Sequence, residues 1–245
     1  MPPVFIHIGK TGGTSVYTSL TKKLPTIREY HHNRNYKNDE TYVIWIRNPI
    51  HRFVSAFNHS YYGVHTDINT IKRFDLDHCL IPKRMENSKK RSFVFSRRYD
   101  DLMRSFQNAN HLAESLTSDE RDIQHKAREL MTMEDEHFYK GIGWYLYNGE
   151  FIEKNNKRIL FVGSLEHMKQ DIQTLSTTLQ VTLDDTMKLR ENKYIDTSMK
   201  YLSPLAVSNI INWYKDTDYR ALEMLLKHGW ISQELFSSYY IYTNE

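Results

Sequence analysis

Cysteine is almost missing from this chain, since Cys79 is the single one among 245 residues. A lone cysteine excludes disulfides within the chain and metal clusters held by several thiolates. It also suits a reducing compartment, so we expect a cytoplasmic protein.

Long apolar runs are missing as well. No stretch approaches the roughly 20 apolar residues of a transmembrane helix. The first apolar run starts at Val4, which leaves no room for a charged segment before it, and we expect no signal peptide. Internal repeats and low-complexity linkers are absent too. With 40% hydrophobic residues, the length suits one globular domain.

Charge is only mildly unbalanced, with a formal net charge of +3. A small basic excess suits an anionic ligand without proving one. The densest basic stretch, KRMENSKKRSFVFSRR at residues 83–98, has seven basic residues and one acidic residue. Two interpretations stay open for it, a solvated loop or helix face and a surface for an acidic substrate or nucleic acid.

Short apolar runs alternate with helical patterns along the chain. VFIHI, TYVIWI and KRILFVG read as buried strands, and TIREYHH is a weaker strand candidate. The helical segments TSVYTSLTKKL and IHRFVSAFNHSYY each follow a strand, which predicts a parallel sheet with helices on its faces. Two further boundaries are predicted, a helix N-cap at Ser164 and a helix end at Gly229.

The first strand runs into a glycine-rich turn and then a helix. Amide groups of such a turn, together with the positive end of the helix dipole, bind phosphate-like anions. Glycines alone would explain only the geometry of a turn, whereas this one also carries a lysine and three hydroxyl groups. The predicted anion-binding residues are Lys10, Thr11, Gly12, Gly13, Thr14 and Ser15.

A nucleoside-triphosphate P-loop is the obvious alternative, and the residue order argues against it. That motif reads G-x-x-x-x-G-K-[ST], but here Lys10 precedes the glycines. P-loop enzymes also hold magnesium with an Asp at a neighbouring strand end. YVIWI ends instead in Arg47, which favours direct contact with an anion and no metal.

IHIGKTGGTSV and RNPIHRFVSAF together resemble the superfamily of sulfotransferases that use 3′-phosphoadenosine 5′-phosphosulfate (PAPS). The second block has the R-[DN]-P-x-x-R-x-x-S form of carbohydrate-type members, such as heparan sulfate 2-O-sulfotransferases and bacterial sulfotransferase-family proteins. The resemblance implies that the first loop binds the 5′-phosphosulfate. It also implies that Arg47 and Ser55 bind the 3′-phosphate, with Arg52 assisting or pairing structurally.

Two later blocks are similar to the same family, ILFVGSLEHMKQDIQTL with its V-G-x-x-E core and NWYKDTDYRALEML. The resemblance implies a P-loop-like three-layer α/β fold over 1–245. The cofactor motifs would occupy 4–62, a helical acceptor-side region 63–150, and a closing strand with C-terminal helices 157–229. The family usually has Pro before the loop lysine, whereas Gly9 stands here and would loosen the turn.

Sulfuryl transfer also needs a base to take the proton of the acceptor hydroxyl. In related enzymes the base lies between the two cofactor motifs or on the second strand, where this chain has His31, His32 and Glu29. In an extended segment neighbouring side chains face opposite ways, so only one histidine would face the sulfur. We place His32 first, His31 second and Glu29 third.

The remaining histidines favour ordinary structural roles. His7 would pack within the first strand, and His59 could line the acceptor side. His137 stands in HFYKGIGWYLYN, an aromatic and glycine cluster that either packs in the core or stacks on a sugar.

The sequence therefore predicts a sulfotransferase that moves the sulfuryl group of PAPS to a hydroxyl of a carbohydrate or small metabolite and leaves the product PAP. Lys10 would neutralise the charge that develops on the leaving oxygen. Two alternatives stay open, a nucleotide kinase or NTPase with a degenerate loop, and a non-enzymatic module that binds polyanions through 83–98.

Overall fold

Four short parallel strands form the centre of the computed structural model, which describes residues 2–65, 93–134, 136–184 and 197–244. The strand order in the sheet is β2-β1-β3-β4, and every neighbouring pair is parallel. The predicted α/β class with a central parallel sheet is therefore confirmed. The strands are β1 (Val4–Ile6), β2 (Arg28–Tyr30), β3 (Tyr42–Ile46) and β4 (Ile159–Ser164).

Helices connect and flank these strands. β1 leads into α1 and β3 leads into α2, which is the predicted alternation of strands and helices. The described part of the middle region, up to residue 150, is helical as expected. The helices are α1 (Gly13–Lys23), α2 (Pro49–His65), α3 (Phe93–Arg104), α4 (Ala109–Ser115), α5 (Arg121–Thr132), α6 (Ile142–Leu146), α7 (Glu150–Asn155), α8 (Met168–Leu179), α9 (Pro204–Tyr214), α10 (Arg220–Lys227) and α11 (Gln233–Ser238).

The sheet separates two apolar clusters because alternate residues of a strand face opposite sides. On one side Phe5 and Trp45 pack with Val16 of α1 and Ile172 of α8. The larger cluster lies on the other side and includes Ile44 together with α2 and the later helices. Since both faces of β1 and β3 are covered, these strands read as continuous apolar runs rather than alternating ones.

One of the two predicted helix boundaries is wrong and the other is confirmed. Ser164 does not cap a helix, because β4 runs through Ser164 and α8 begins only at Met168. The Ser164 hydroxyl accepts a hydrogen bond from the backbone N–H of His167 at 3.1 Å, in the turn between β4 and α8. Gly229 ends α10 as expected, with a φ of 74° that suits glycine.

All four strands end at the same edge of the sheet because they are parallel. The loop of residues 7–12, His31, Arg47 and Leu165 follow the ends of β1, β2, β3 and β4 respectively. In open parallel sheets this carboxyl edge is where ligands bind. The sequence motifs therefore converge on one region.

Candidate functional site

The loop between β1 and α1 is a tight turn with two residues in the left-handed region. Lys10 has a φ of 69° and Gly12 a φ of 82°. Gly12 also lies close to Leu165, since a Cβ on it would be 2.8 Å from Leu165 Cδ1. The Thr11 hydroxyl is buried and donates to the carbonyl of Ile8 at 2.9 Å. Thr11 therefore closes the turn, while Gly12 gives it its curvature.

Lys10 and Arg47 are brought into contact at the end of the sheet. The Arg47 guanidinium donates to the Lys10 carbonyl at 3.1 Å. Burial, and after it the charge of Arg47, lowers the pKa of Lys10 to about 8. The Glu166 carboxylate offsets part of the cost of burying Arg47. A bound anion would offset more of the cost of two neighbouring cations in a partly desolvated site. Ser15 on α1 and Ser55 on α2 are half-buried.

Arg47 is positioned through its neighbour Asn48. The Glu166 carboxylate accepts a hydrogen bond from the backbone N–H of Asn48 at 2.9 Å. Its second oxygen accepts one from the Tyr239 hydroxyl at 3.1 Å. Glu166 is the glutamate of the V-G-x-x-E block. It therefore joins the end of β3 to the C-terminal part of the chain.

A row of imidazole rings lies beside the loop, and we call it the histidine cluster. The rings of His7 and His31 stack with centroids 4.1 Å apart, and His31 and His32 are 3.7 Å apart. His137 follows at 6.3 Å from His32, and His59 at 5.5 Å from His137. The five rings come from four separate parts of the sequence.

His31 and His32 lie side by side, so our premise of an extended segment is wrong. β2 ends at Tyr30, and His32 has a φ of 63°, which turns the chain. The His31 Nδ1 donates to the carbonyl of His7 at 2.9 Å, which leaves Nε2 as the proton acceptor of the neutral ring. Burial, and after it the charge of His7, lowers the pKa of His31. His32 is exposed, and its amide donates to the Tyr145 hydroxyl at 3.2 Å.

Glu29, the third candidate base, pairs with His7. Its carboxylate lies 2.8 Å from His7 Nδ1. Burial raises the pKa of Glu29, but the hydrogen bond to His7 and the nearby histidines outweigh burial, and the pKa lies below its usual value. A carboxylate held in this way is a poor base, and its clearest role is to orient His7.

Sequence reasoning placed His7 within the first strand and left His137 between packing and stacking on a sugar. His7 instead follows β1, which ends at Ile6, and both histidines lie at the site. The Nε2 of His7 is 3.5 Å from the Thr14 hydroxyl. His137 packs on the loop, because a Cβ on Gly9 would be 2.6 Å from its Nδ1. Gly9 was the departure from the family pattern. Gly9 was the sequence feature that could have pointed to His137, since the His137 ring fills the space beside it.

Arg52 holds His137 in place rather than facing the loop. It is fully buried, lies 3.4 Å from the carboxylate of Asp218 and donates to the carbonyl of His137 at 2.8 Å. Asp218 stands in a π-helical turn, Lys215–Tyr219, between α9 and α10. These contacts therefore favour a structural role for Arg52 over assistance at the 3′-phosphate.

The aromatic cluster after His137 packs around a basic side chain. The guanidinium of Arg34 lies 4.3 Å from the ring centre of Trp144 and 4.4 Å from that of Tyr147. The rings are thus covered in part by a cation. Of the basic stretch 83–98, residues 83–92 and also Cys79 lie outside the described residues. Arg98 is described and donates to Glu129 at 2.7 Å.

The described part of the chain has neither a membrane-spanning helix nor a group of metal ligands. No helix in it is both long and apolar enough to cross a membrane. Within the same residues, no three metal-ligating side chains are grouped so that they could hold an ion, the histidine cluster included.

Comparison with known proteins agrees with the geometry. A family model described as "Sulfotransferase family" matches residues 8–228, which include loop residues 8–12, Arg47, the histidine cluster except His7, and Glu166. Searches against curated proteins and against solved structures gave no significant match. The family match spans most of the chain. The protein therefore belongs to the sulfotransferase family, whose members transfer sulfuryl groups.

Proposed function

We propose that this protein transfers the sulfuryl group of PAPS to a hydroxyl of a carbohydrate or small metabolite. The contact between Arg47 and the backbone of Lys10 is the observation that carries the proposal. It joins the two cationic positions of the motifs at the carboxyl edge, beside the histidine cluster. PAPS carries anionic groups at both its 5′ and its 3′ position, so two cationic positions suit it.

The loop would hold the 5′-phosphosulfate. Lys10, Gly12, Gly13, Thr14 and Ser15 supply a cation, close-approaching amides and two hydroxyl groups. Thr11 contributes by closing the turn, since its hydroxyl is bonded to Ile8. Arg47 and Ser55 would hold the 3′-phosphate. Electrostatic stabilisation of this kind is the main source of rate in transfer between oxygen atoms.

The histidine cluster would supply the base. The acceptor oxygen forms a bond to sulfur while the bond from sulfur to the bridging oxygen breaks, and PAP leaves with that oxygen. The proton of the acceptor passes to an imidazole nitrogen. The hydrogen bond that fixes His31 with Nε2 unprotonated supports His31 in this role over His32.

Transfer from sulfur-labelled PAPS to a panel of glycans and small hydroxyl compounds tests the proposal. Replacing Lys10 or Arg47 by Ala removes charge at the reacting or anchoring group, and we expect turnover to fall by ~10²–10³. Lys22→Ala and Arg121→Ala, at exposed positions, are matched controls that keep activity. Full transfer by Lys10→Ala or Arg47→Ala would contradict the proposal.

A further inference from the structure

Glu29, His7 and Thr14 form a chain of polar contacts that ends on the loop. The Glu29 carboxylate is 2.8 Å from His7 Nδ1, and His7 Nε2 is 3.5 Å from the Thr14 hydroxyl oxygen. The second distance is long for a hydrogen bond, and such contacts often shorten when a ligand binds. These contacts connect β2, through the residue that follows β1, to the second residue of α1.

The ring of His7 is held in one orientation. The backbone N–H of His7 donates to the Tyr30 carbonyl at 3.0 Å, and the His7 carbonyl accepts a hydrogen bond from the His31 ring. The His31 ring also covers one face of the His7 ring. A Cβ on Gly13 would lie 2.4 Å from Cδ2 and 2.9 Å from Nε2 of His7. Only glycine at position 13 therefore admits the ring edge that faces Thr14.

The protonation of His7 decides what the Thr14 hydroxyl can do. When His7 is neutral, Nδ1–H donates to Glu29, and Nε2 accepts the Thr14 hydroxyl proton. The hydroxyl then turns a lone pair toward the loop, which repels an anion. When His7 is an imidazolium, Nε2–H donates to Thr14, and the hydroxyl is free to donate its proton to an anionic oxygen.

We propose that binding of the donor's 5′ anionic group is coupled to uptake of one proton by His7, with Thr14 relaying the hydrogen bond. The proton comes from solvent, and Glu29 balances the resulting charge. His7 and Glu29 are positioning residues in this arrangement, since neither touches the donor. This coupling rests on the proposed function and would make donor binding at the same site depend on pH.

Several titratable groups surround Glu29, His7 and Thr14 and could also exchange protons when the anion binds. Glu29 pairs with His7 directly, and His31 stacks on it. His32 and Tyr17 interact electrostatically with Glu29, and Lys140 with His31. Lys10, whose pKa is about 8, keeps its own proton near neutral pH. A measurement near neutral pH therefore limits the contribution of Lys10 to the measured proton uptake.

Calorimetry of PAP binding near neutral pH, in buffers of different ionisation enthalpy, counts the protons taken up. We expect net uptake by the wild type and loss of most of it in Thr14→Val, which removes the relay but not His7. Thr14→Ser keeps the hydroxyl and should keep the uptake. Thr178→Val, at an exposed position of α8, is the matched control and should match the wild type.

Nitrogen-15 spectra of the histidines give an independent readout that does not depend on affinity. PAP should shift the His7 signal toward the imidazolium, and Glu29→Gln should weaken the change. His7→Asn assigns the signal. PAP binding with equal proton uptake in the wild type and Thr14→Val would overturn this inference and leave the proposed function standing. No PAP binding by the wild type would overturn both.

Discussion

His31 and His32 are neighbours in sequence, and their hydrogen bonds separate their chemical roles. The His31 Nδ1 is tied to the carbonyl of His7, which fixes the position of the free ring nitrogen. His32 is exposed and anchored by its backbone amide to Tyr145. We therefore propose His31 as the general base, because a fixed ring has its geometry set before the acceptor binds.

His31→Asn should therefore lower kcat by ~10²–10⁴ and leave the Kd for PAP unchanged. We expect His32→Asn to lower kcat less than His31→Asn, and His125→Asn, at an exposed position of α5, serves as the control.

The pH profile of kcat gives a second readout of the same residue. The base must be neutral, and the pKa of His31 is lowered from 6.5 by burial and by the charge of His7. Activity should thus persist through neutral pH and fall only below 6.5. A kcat that is unchanged by His31→Asn, or an acidic limb above neutral pH, would assign the base elsewhere.

At the scale of elements, the loop after β1 and the segment before α6 fit each other. His137 precedes Gly141 and α6, and its ring occupies the space beside Gly9. Burial, and after it the charge of Lys10, holds the pKa of His137 well below its usual value, so the ring is neutral where it packs. We expected Gly9 to loosen the turn, but its neighbour fills the gap.

Gly9→Ala should consequently destabilise the protein by ~1–3 kcal/mol through overpacking against His137. His137→Ala makes room for the new methyl group, so the double variant should be more stable than the sum of the single effects predicts. Urea denaturation of the wild type, both single variants and the double variant measures this coupling. Additive free energies of unfolding would show that the two elements do not press on each other.

The same elements show what the sequence could predict. Strands β1 and β3, the glycine loop and Arg47 were predictable because each is a local pattern of neighbouring residues. The pairing of His7 with Glu29 depends on the register that sets Phe5 opposite Glu29 across two strands. The packing of His137 on Gly9 joins positions more than a hundred residues apart. Such contacts follow from tertiary packing, which periodicity does not encode.

At the scale of the whole molecule, distant parts of the chain converge on one edge of the sheet. Glu166 ties Asn48 to Tyr239, and Asp218 pairs with the buried Arg52 that holds His137. The cationic loop and the histidine cluster are therefore supported from the C-terminal half. Removing one partner of a buried ion pair leaves the other charge unpaired, so Arg52 and Asp218 hold each other, and with them His137, in place.

The central claim is that this edge binds the nucleotide of a sulfuryl donor. Calorimetry with PAP and, separately, with ATP and magnesium tests it most directly. We predict that the wild type binds PAP much more tightly than ATP, that Lys10→Ala and Arg47→Ala each weaken PAP binding at least tenfold, and that Lys22→Ala does not. Tight ATP binding that needs magnesium, without measurable PAP binding, would contradict the account.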